Sequence, residues 1–294
     1  MSVESTLTRV SENVASTTRR LVSGRLDLEF AADADARTYL RRQYAGYPFH
    51  ICRVQFQDRD IPDLATLYIQ SCSGGVYEDD RLDFNLAVRE HAQVHVSTQS
   101  ATIVHTMPAG SAEQGVRIEC EAGSYLEYLP DPQILFPGSS FRSGIRVRLC
   151  GNAVAVISDS FLRHDPTGKD GMFSAYSTEI LIENSAGSAL AIDRLKIDGG
   201  FQPSRPGILG SFAAQGTLMI ACLHPLPSAT FEELLKVRLA EGEAAIGVTE
   251  LPKNAGMLVR VLAVDGAALK RAMQMVWSAA RLALKGSRPM ERRK

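Results

Sequence analysis

The sequence has no Cys-x-x-Cys pair and only five cysteines in 294 residues. Cys52, Cys72, Cys120, Cys150 and Cys222 are odd in number and irregularly spaced, which excludes a complete disulfide framework and offers no structural zinc signature. Cys52, Cys120 and Cys150 fall in alternating apolar patterns, where a free thiol packs as a small hydrophobe. A reducing, cytoplasmic setting is expected. No run of about 18 apolar residues occurs, so no membrane-spanning helix is expected. The formal charge of −1 leaves no overall cationic excess, and nucleic acid is not an expected partner. The Gly-x-x-x-x-Gly-Lys-Ser/Thr loop is missing, and with it the usual phosphate cradle of a nucleotide hydrolase. The opening MSVESTLTRVSENVASTTRR lacks the apolar core of a secretory signal, and Glu4 and Glu12 do not suit a transit peptide. A loose tail over residues 1–23 is expected there.

What the chain does have is period-two alternation. The clearest stretch runs from Tyr68 to Thr106. Leu82, Phe84, Leu86 and Val88 alternate with polar or small residues. After Arg89 and Glu90, Ala92, Val94 and Val96 alternate with His91, Gln93, His95 and Ser97. Two half-buried strands with a short connection produce that pattern. Similar short segments follow Gly24–Phe30, Thr38–Tyr44, Cys52/Val54/Phe56 after Pro48, and Leu64–Ile69. Others fall at Val116–Cys120, Leu126–Tyr128, Ile145–Leu149, Val154/Val156, Glu179–Glu183, Ala189–Leu195, Leu218–Leu223 and Met257–Leu262. Short strands punctuated by turn residues predict a mostly β protein. The expected form is a large multi-stranded scaffold, β-helix-like or built of layered sheets, with about two helices in the C-terminal third. The first helix is read from Thr230 and Glu233 as a capping box and ends near Gly242. The second starts at Asp265 as N-cap, buries Leu269, Met273, Val276, Ala280 and Leu284, and stops at Gly286 before Pro289. The stripe of methionines with Trp277 is read as core packing. One β-rich domain over 24–287 and a basic tail over 288–294 are expected, with the loop from Gly199 to Gly210 as the most mobile segment.

The order of motifs resembles the urease accessory protein D family (called H in some organisms). Ser73-Gly74-Gly75-Val76, Asp80-Arg81-Leu82 and Ser97-Thr98-Gln99-Ser100-Ala101-Thr102 resemble the family's glycine loop, its turn and its Thr-Thr-Gln-Ala-Ala-Thr segment. Glu78 and Asp79 replace a second glycine pair, and Ile103 stands where a lysine is common. Gly24–Phe30, Leu126-Glu127-Tyr128-Leu129-Pro130-Asp131-Pro132, Asp193-Arg194-Leu195, Leu258–Leu262 and Val276-Trp277 match further family segments, so the resemblance covers most of the chain. It implies a non-enzymatic β-rich scaffold that binds urease apoprotein and the accessory proteins F and G. A homodimer within that complex is also compatible with it. It further implies a transient Ni²⁺ cargo, with no tightly bound cofactor, passing through an internal water-filled route.

A passage needs ligands that release their ion. Carboxylate, carbonyl and water do so, whereas a tight His/Cys cage would trap nickel. The candidate metal-path residues are therefore Asp80, Glu127, Asp131, Asp159 and Asp193, each with a plain alternative. Asp80 is also suited to shape a turn and Asp131 to fix a bend. Glu127 and Asp193 interrupt apolar runs and need pairing if buried, with Arg194 or Arg148 as candidate partners. His91 and His95 fall ~13 Å apart on one strand face at ~3.3 Å per residue, too far to share an ion, and are read as solvent-facing. His164-Asp165 sits in a turn. The basic residues Arg281, Lys285, Arg288, Arg292, Arg293 and Lys294 are read as a solvated tail. Two rival readings remain open. One is a cysteine- or serine-dependent hydrolase, for which Cys72 and the Gly138–Gly144 segment are weak nucleophile candidates. The other is a paralogue serving a different metalloenzyme.

Overall fold

The computed structural model describes residues 23–199, 209–237 and 239–290. The expected tail of residues 1–23 lies outside them except for Ser23, as do most of the Gly199–Gly210 loop and the last four basic-tail residues. In chain order the first strands are β1 (Ser23–Ala32), β2 (Thr38–Ala45), β3 (Phe49–Ile51), β4 (Ala65–Ser71), β5 (Arg81–Val88), β6 (Gln93–Thr98), β7 (Thr102–Val104) and β8 (Ala112–Cys120). They continue with β9 (Tyr125–Tyr128), β10 (Gln133–Leu135), β11 (Ser140–Leu149), β12 (Val154–Arg163), β13 (Ala175–Asn184), β14 (Ala189–Asp198) and β15 (Ala214–Cys222). After α1 (Ala229–Leu235) come β16 (Ala244–Glu250), a 3-10 turn at Pro252–Asn254, β17 (Gly256–Ala263) and α2 (Gly266–Lys285).

From β4 to β13 the chain winds between two facing sheets. A seven-stranded sheet has the order β14-β13-β11-β8-β5-β1-β2, and a ten-stranded sheet includes the path β16-β17-β15-β12-β9-β6-β4-β3. The centre of each sheet is parallel, because each return to a sheet follows an excursion through the other one. The expected layered, β-helix-like scaffold is thus present, with two helices. Register stacks like on like: Leu26, Phe84, Val116, Ile145 and Ile180 form one rung, and Leu28, Leu86, Ile118, Val147 and Ile182 the next. All ten are buried between the sheets, each contributing about 1.5–3 kcal/mol. Two apolar clusters result. One contains these rungs; the other gathers Val76, Leu82, Val104, Phe141, Phe161, Phe173 and Tyr176.

Helix α2 packs on the outside of the ten-stranded sheet through Leu269, Ala272, Val276, Trp277 and Ala280. The Asp265 carboxylate accepts from the Ala268 amide at 2.7 Å, and Gly286 closes the helix at φ 74° with its N–H on Leu282 O. Both ends fall where the sequence puts them. Asp265→Ala should cost about 1 kcal/mol, the usual value of an N-cap, read as a lowered urea midpoint with an unchanged slope.

Several expectations are corrected. Helix α1 begins at Ala229 and ends at Leu235, so Thr230 is no cap. It sits inside the first turn, buried, while Glu233 pairs with Lys236. The start at Ser228 draws Thr230 onto the core-facing side. The third strand covers Phe49–Ile51 rather than Cys52 to Phe56; beyond it only Gln55 bridges to Thr66, at the sheet edge. Strands β7, β10 and β16 have no counterpart in the sequence reading, β7 and β10 because three residues carry no measurable period. Asp79, at the position of a family glycine, adopts φ 67°, the left-handed region that aspartate tolerates better than most residues.

Candidate functional site

Along the inner faces of both sheets one polar row separates the two apolar clusters. On β8, β11 and β13 it consists of Gln114, Ser143 and Thr178, paired in register between the apolar positions on either side. On the opposite sheet Asp159, Thr217 and Arg260 are paired across β12, β15 and β17. Asp159 is buried. Tyr176 Oη lies 2.9 Å from Asp159 Oδ2 and 3.1 Å from Gln133 Oε1, its single proton serving one at a time. Thr178 faces Asp159 across the sheets without a hydrogen bond of good geometry. Burial pushes the Asp159 carboxyl above its ordinary value, assisted by the charge of Asp193 and opposed by Thr178, Tyr176 and Arg260. At the far end, Arg260 holds Asp193 in a 2.7 Å ion pair, both partly open to solvent.

The near end opens into a cavity of about 280 Å³ lined by Gln114, Gln133, Tyr128, Thr98, Thr102 and Asp131, among others. A second cavity of about 300 Å³ lies beneath α2 and includes Ser158, Ser160, Lys270, Met273 and Trp277. Pro130 and Asp131 form a wall common to both. The Asp131 amide donates to Thr98 Oγ1 at 2.8 Å, which fixes the wall by its backbone. Asp131 thus shares a cavity with Gln133, which Tyr176 joins to Asp159, and Asp193 acts on Asp159 by charge.

The other two carboxylates do not join this set. Asp80 is buried in the turn before β5 and accepts from the Tyr77 amide at 2.8 Å, the turn-shaping alternative. Glu127 lies on β9 under α2. Its two oxygens take Arg281 Nε and Nη2 at 2.5 and 2.6 Å, His95 Nδ1 at 2.7 Å and Tyr125 Oη at 2.8 Å. Arg281 Nη1 reaches Asp58 at 2.6 Å. Burial alone would raise the Glu127 carboxyl, but the hydrogen bonds and charges of Arg281 and His95 prevail and hold it far below the ordinary range. Burial likewise works against the Arg281 charge, yet Glu127, Tyr125 and Asp58 hold its pKa above the usual arginine value.

This arrangement corrects three sequence readings. Arg281 is 1% exposed and no solvated tail residue, because α2 carries it onto the sheet; Lys285 donates to Gln93 Oε1. His95 is 3% exposed rather than solvent-facing, since α2 covers the outer side of β6, and His91 sits before β6 at φ 59°. Arg194 and Arg148 pair with Glu179 and Glu119 instead of Asp193 and Glu127. The partners of these carboxylates come from distant segments, which no local pattern reveals. By contrast, Gln114, Ser143 and Thr178 each break an apolar alternation, a signal present in the sequence.

Other candidates resolve simply. Asp165 accepts from the Thr167 and Gly171 amides, and these bonds hold its carboxyl down to about 2. Ser139 is buried and Ser140 opens β11, so the Gly138–Gly144 segment is not a strand-to-helix elbow. Among the described residues no group of three His, Cys, Asp or Glu side chains could hold a metal ion, and no helix is long and apolar enough to cross a membrane.

The family profile described as UreD urease accessory protein matches residues 22–294. A protein called urease accessory protein UreD 1 from Pseudomonas syringae pv. syringae is 36% identical over 269 residues, covering 91% of this chain and 94% of the relative. The UreD 1 protein of Methylorubrum populi is 37% identical over 257 residues, 87% of each chain. The UreD protein of Haloarcula marismortui is 33% identical over 263 residues, 89% of this chain and 87% of the relative. A match over nearly the whole chain, on a fold of the expected layered type, leads to one conclusion: this chain belongs to the UreD family of urease accessory proteins.

Proposed function

We propose that this chain is a non-enzymatic cytoplasmic scaffold for urease maturation. It binds urease apoprotein and the accessory proteins F and G, and it conducts Ni²⁺ along its interior polar row. The observation that carries the reading is the row itself. Oxygen-bearing side chains lie between two apolar clusters: Asp131 and Gln133 line the first cavity, Tyr176 joins Gln133 to Asp159, and Asp193 is paired with Arg260 beyond it.

The chemistry suits a cargo rather than a resident ion. Hard and borderline divalent cations accept carboxylate, amide, hydroxyl and water oxygens, and ligands of this kind exchange. Asp159 is disfavoured as an anion by its burial, so any cation it meets competes with a proton and is held weakly. Arg260 beside Asp193 adds a repelling charge at the far end, which favours release. In this reading Glu127 and Asp80 are structural carboxylates. Their oxygens already serve Arg281, His95, Tyr125 and the Tyr77 amide.

The decisive experiment co-expresses urease subunits with the F and G proteins, with and without this chain. Urease nickel content and ureolysis should rise several-fold when the chain is present. Equal nickel loading in both cultures would dispose of the maturation role, and a different metalloenzyme would become the expected client.

A further inference from the structure

The outer face of the seven-stranded sheet carries an unusual pair of residues. Gly115 on β8 and Gly144 on β11 are directly paired, in the middle of the sheet and pointing away from the core. Glycine weakens a strand interior and commonly marks a place where another chain or ligand comes close. Neither position has an internal reason for glycine. Its φ is not in the left-handed region, and a Cβ built on Gly144 meets nothing within 4 Å. A Cβ on Gly115 meets only Asp83 Oδ1 at 3.3 Å. Among the described residues nothing covers this face of a largely parallel sheet, whereas parallel sheets are ordinarily covered on both.

The two bare backbones form the floor of a trough of about 620 Å³. Its rim is unevenly charged. Asp83 is paired with Arg117 at 3.3 Å, Glu113 with Arg142 at 3.5 Å, and Glu179 with Arg194. Arg81 on β5 and Lys196 on β14 lie in one row at the same end of the strands, on opposite flanks of the trough. Among the described residues Arg81 has no ion pair, and Lys196 touches Asp198 at 3.5 Å outside the trough. A chain whose overall charge is −1 thus lines this trough with five cationic and three acidic side chains, around a floor of bare glycine backbone flanked in register by Asp83 and Glu179.

We propose that this trough is a docking surface for an acidic segment of a partner protein. The segment sets a bulky side chain on Gly115 and Gly144 and carboxylates against Arg81 and Lys196. The proposal deepens the scaffold function and rests on that reading for its partner class, a protein rather than a nucleic acid. Flat backbone floors accept aromatic side chains, and arginine rims with aromatic anchors are typical of protein interfaces.

The test uses the full chain and a short fluorescein-labelled peptide of glutamates around one tryptophan, followed by anisotropy. Saturable binding that disappears at high salt is expected. Gly144→Val should weaken it by about tenfold or more with the thermal midpoint unchanged or raised, because valine suits an open strand position. Arg81→Glu with Lys196→Glu should weaken it similarly, and a lysine version of the peptide should not bind. No binding by the unaltered chain, or equal affinity in Gly144→Val, overturns the trough. Tighter binding of a short oligonucleotide overturns it in favour of nucleic acid. Because β1 begins at Ser23 beside Arg81, a deletion of residues 1–22 that strengthens peptide binding would assign the trough to the chain's own N-terminal segment, overturning the proposal. If the chain binds the peptide but not purified urease apoprotein or F and G, the maturation reading falls and the trough stands.

Discussion

Arg281→Met is expected to be the most damaging single substitution in the protein. Methionine keeps the stem length but removes the guanidinium, leaving Glu127 and Asp58 buried without their cation. Breaking one side of a buried ion pair costs about 3–5 kcal/mol. In a chain of this size that lowers the melting temperature by roughly 10 °C. Removing all three charges together, as Glu127→Gln, Asp58→Asn and Arg281→Met, should recover most of the loss, because a neutral replacement avoids the stranded carboxylates. The pH dependence has a definite sign. The folded protein holds Glu127 below its ordinary value near 4.5, so its ion pair stabilises fully above that value and less as the pH falls through the acid range. The stability difference between wild type and Arg281→Met should therefore be constant near neutrality and shrink below about pH 4.5. Thermal unfolding from pH 7 to pH 3 measures this. A gap that widens toward acid would remove the ion pair as the source of the loss.

The same cluster explains the limits of the sequence reading. Strand positions and helix α2 are legible because they depend on neighbours two, three or four residues away. Asp265 and Gly286 mark both ends of α2, and Leu82 to Val88 alternate without interruption. Arg281 looks like part of a basic tail because Lys285 and Arg288 follow it. Only the packing of Val276, Trp277 and Ala280 turns that face of the helix onto the sheet, 154 residues beyond Glu127. His95 was similarly hidden, since period two assigns it a face but not the helix that covers it. The polar row lies between these cases. Gln114, Ser143, Thr178 and Asp159 each appear as a lone polar residue at an inward position, whereas Thr217 follows the inward Gln215 on β15. Their alignment depends on the register of strands distant in sequence, parallel for Gln114, Ser143 and Thr178 and antiparallel for Asp159 and Thr217.

Sorting the carboxylates by what they touch separates strength from passage. Glu127 accepts four donors, while Asp165 accepts the Gly171 and Thr167 amides and the Thr167 hydroxyl, so both serve the local structure. The Asp131 backbone is fixed by Thr98, while the residue borders two cavities at once.

Asp131→Asn combined with Asp159→Asn should lower urease nickel content and ureolysis about tenfold or more, the effect of losing two carboxylate donors from one route. The fold and complex assembly should remain intact. Asparagine keeps the shape of each side chain. At Asp159 the substitution is tolerated for a further reason, since burial already biases that carboxyl toward its neutral form. An amide there still offers Tyr176 an acceptor. Thermal midpoint and co-purification with the partner proteins should thus match wild type, while nickel loading does not. Glu127→Gln supplies the contrast: it should lower the thermal midpoint by weakening the Arg281 pair yet leave nickel loading per assembled complex unchanged. If the double variant loads nickel normally, the polar row carries no cargo. If Glu127→Gln fails to load nickel in complexes that assemble fully, the ion takes the path beneath α2 instead, through the cavity that Asp131 shares with Lys270, Met273 and Trp277.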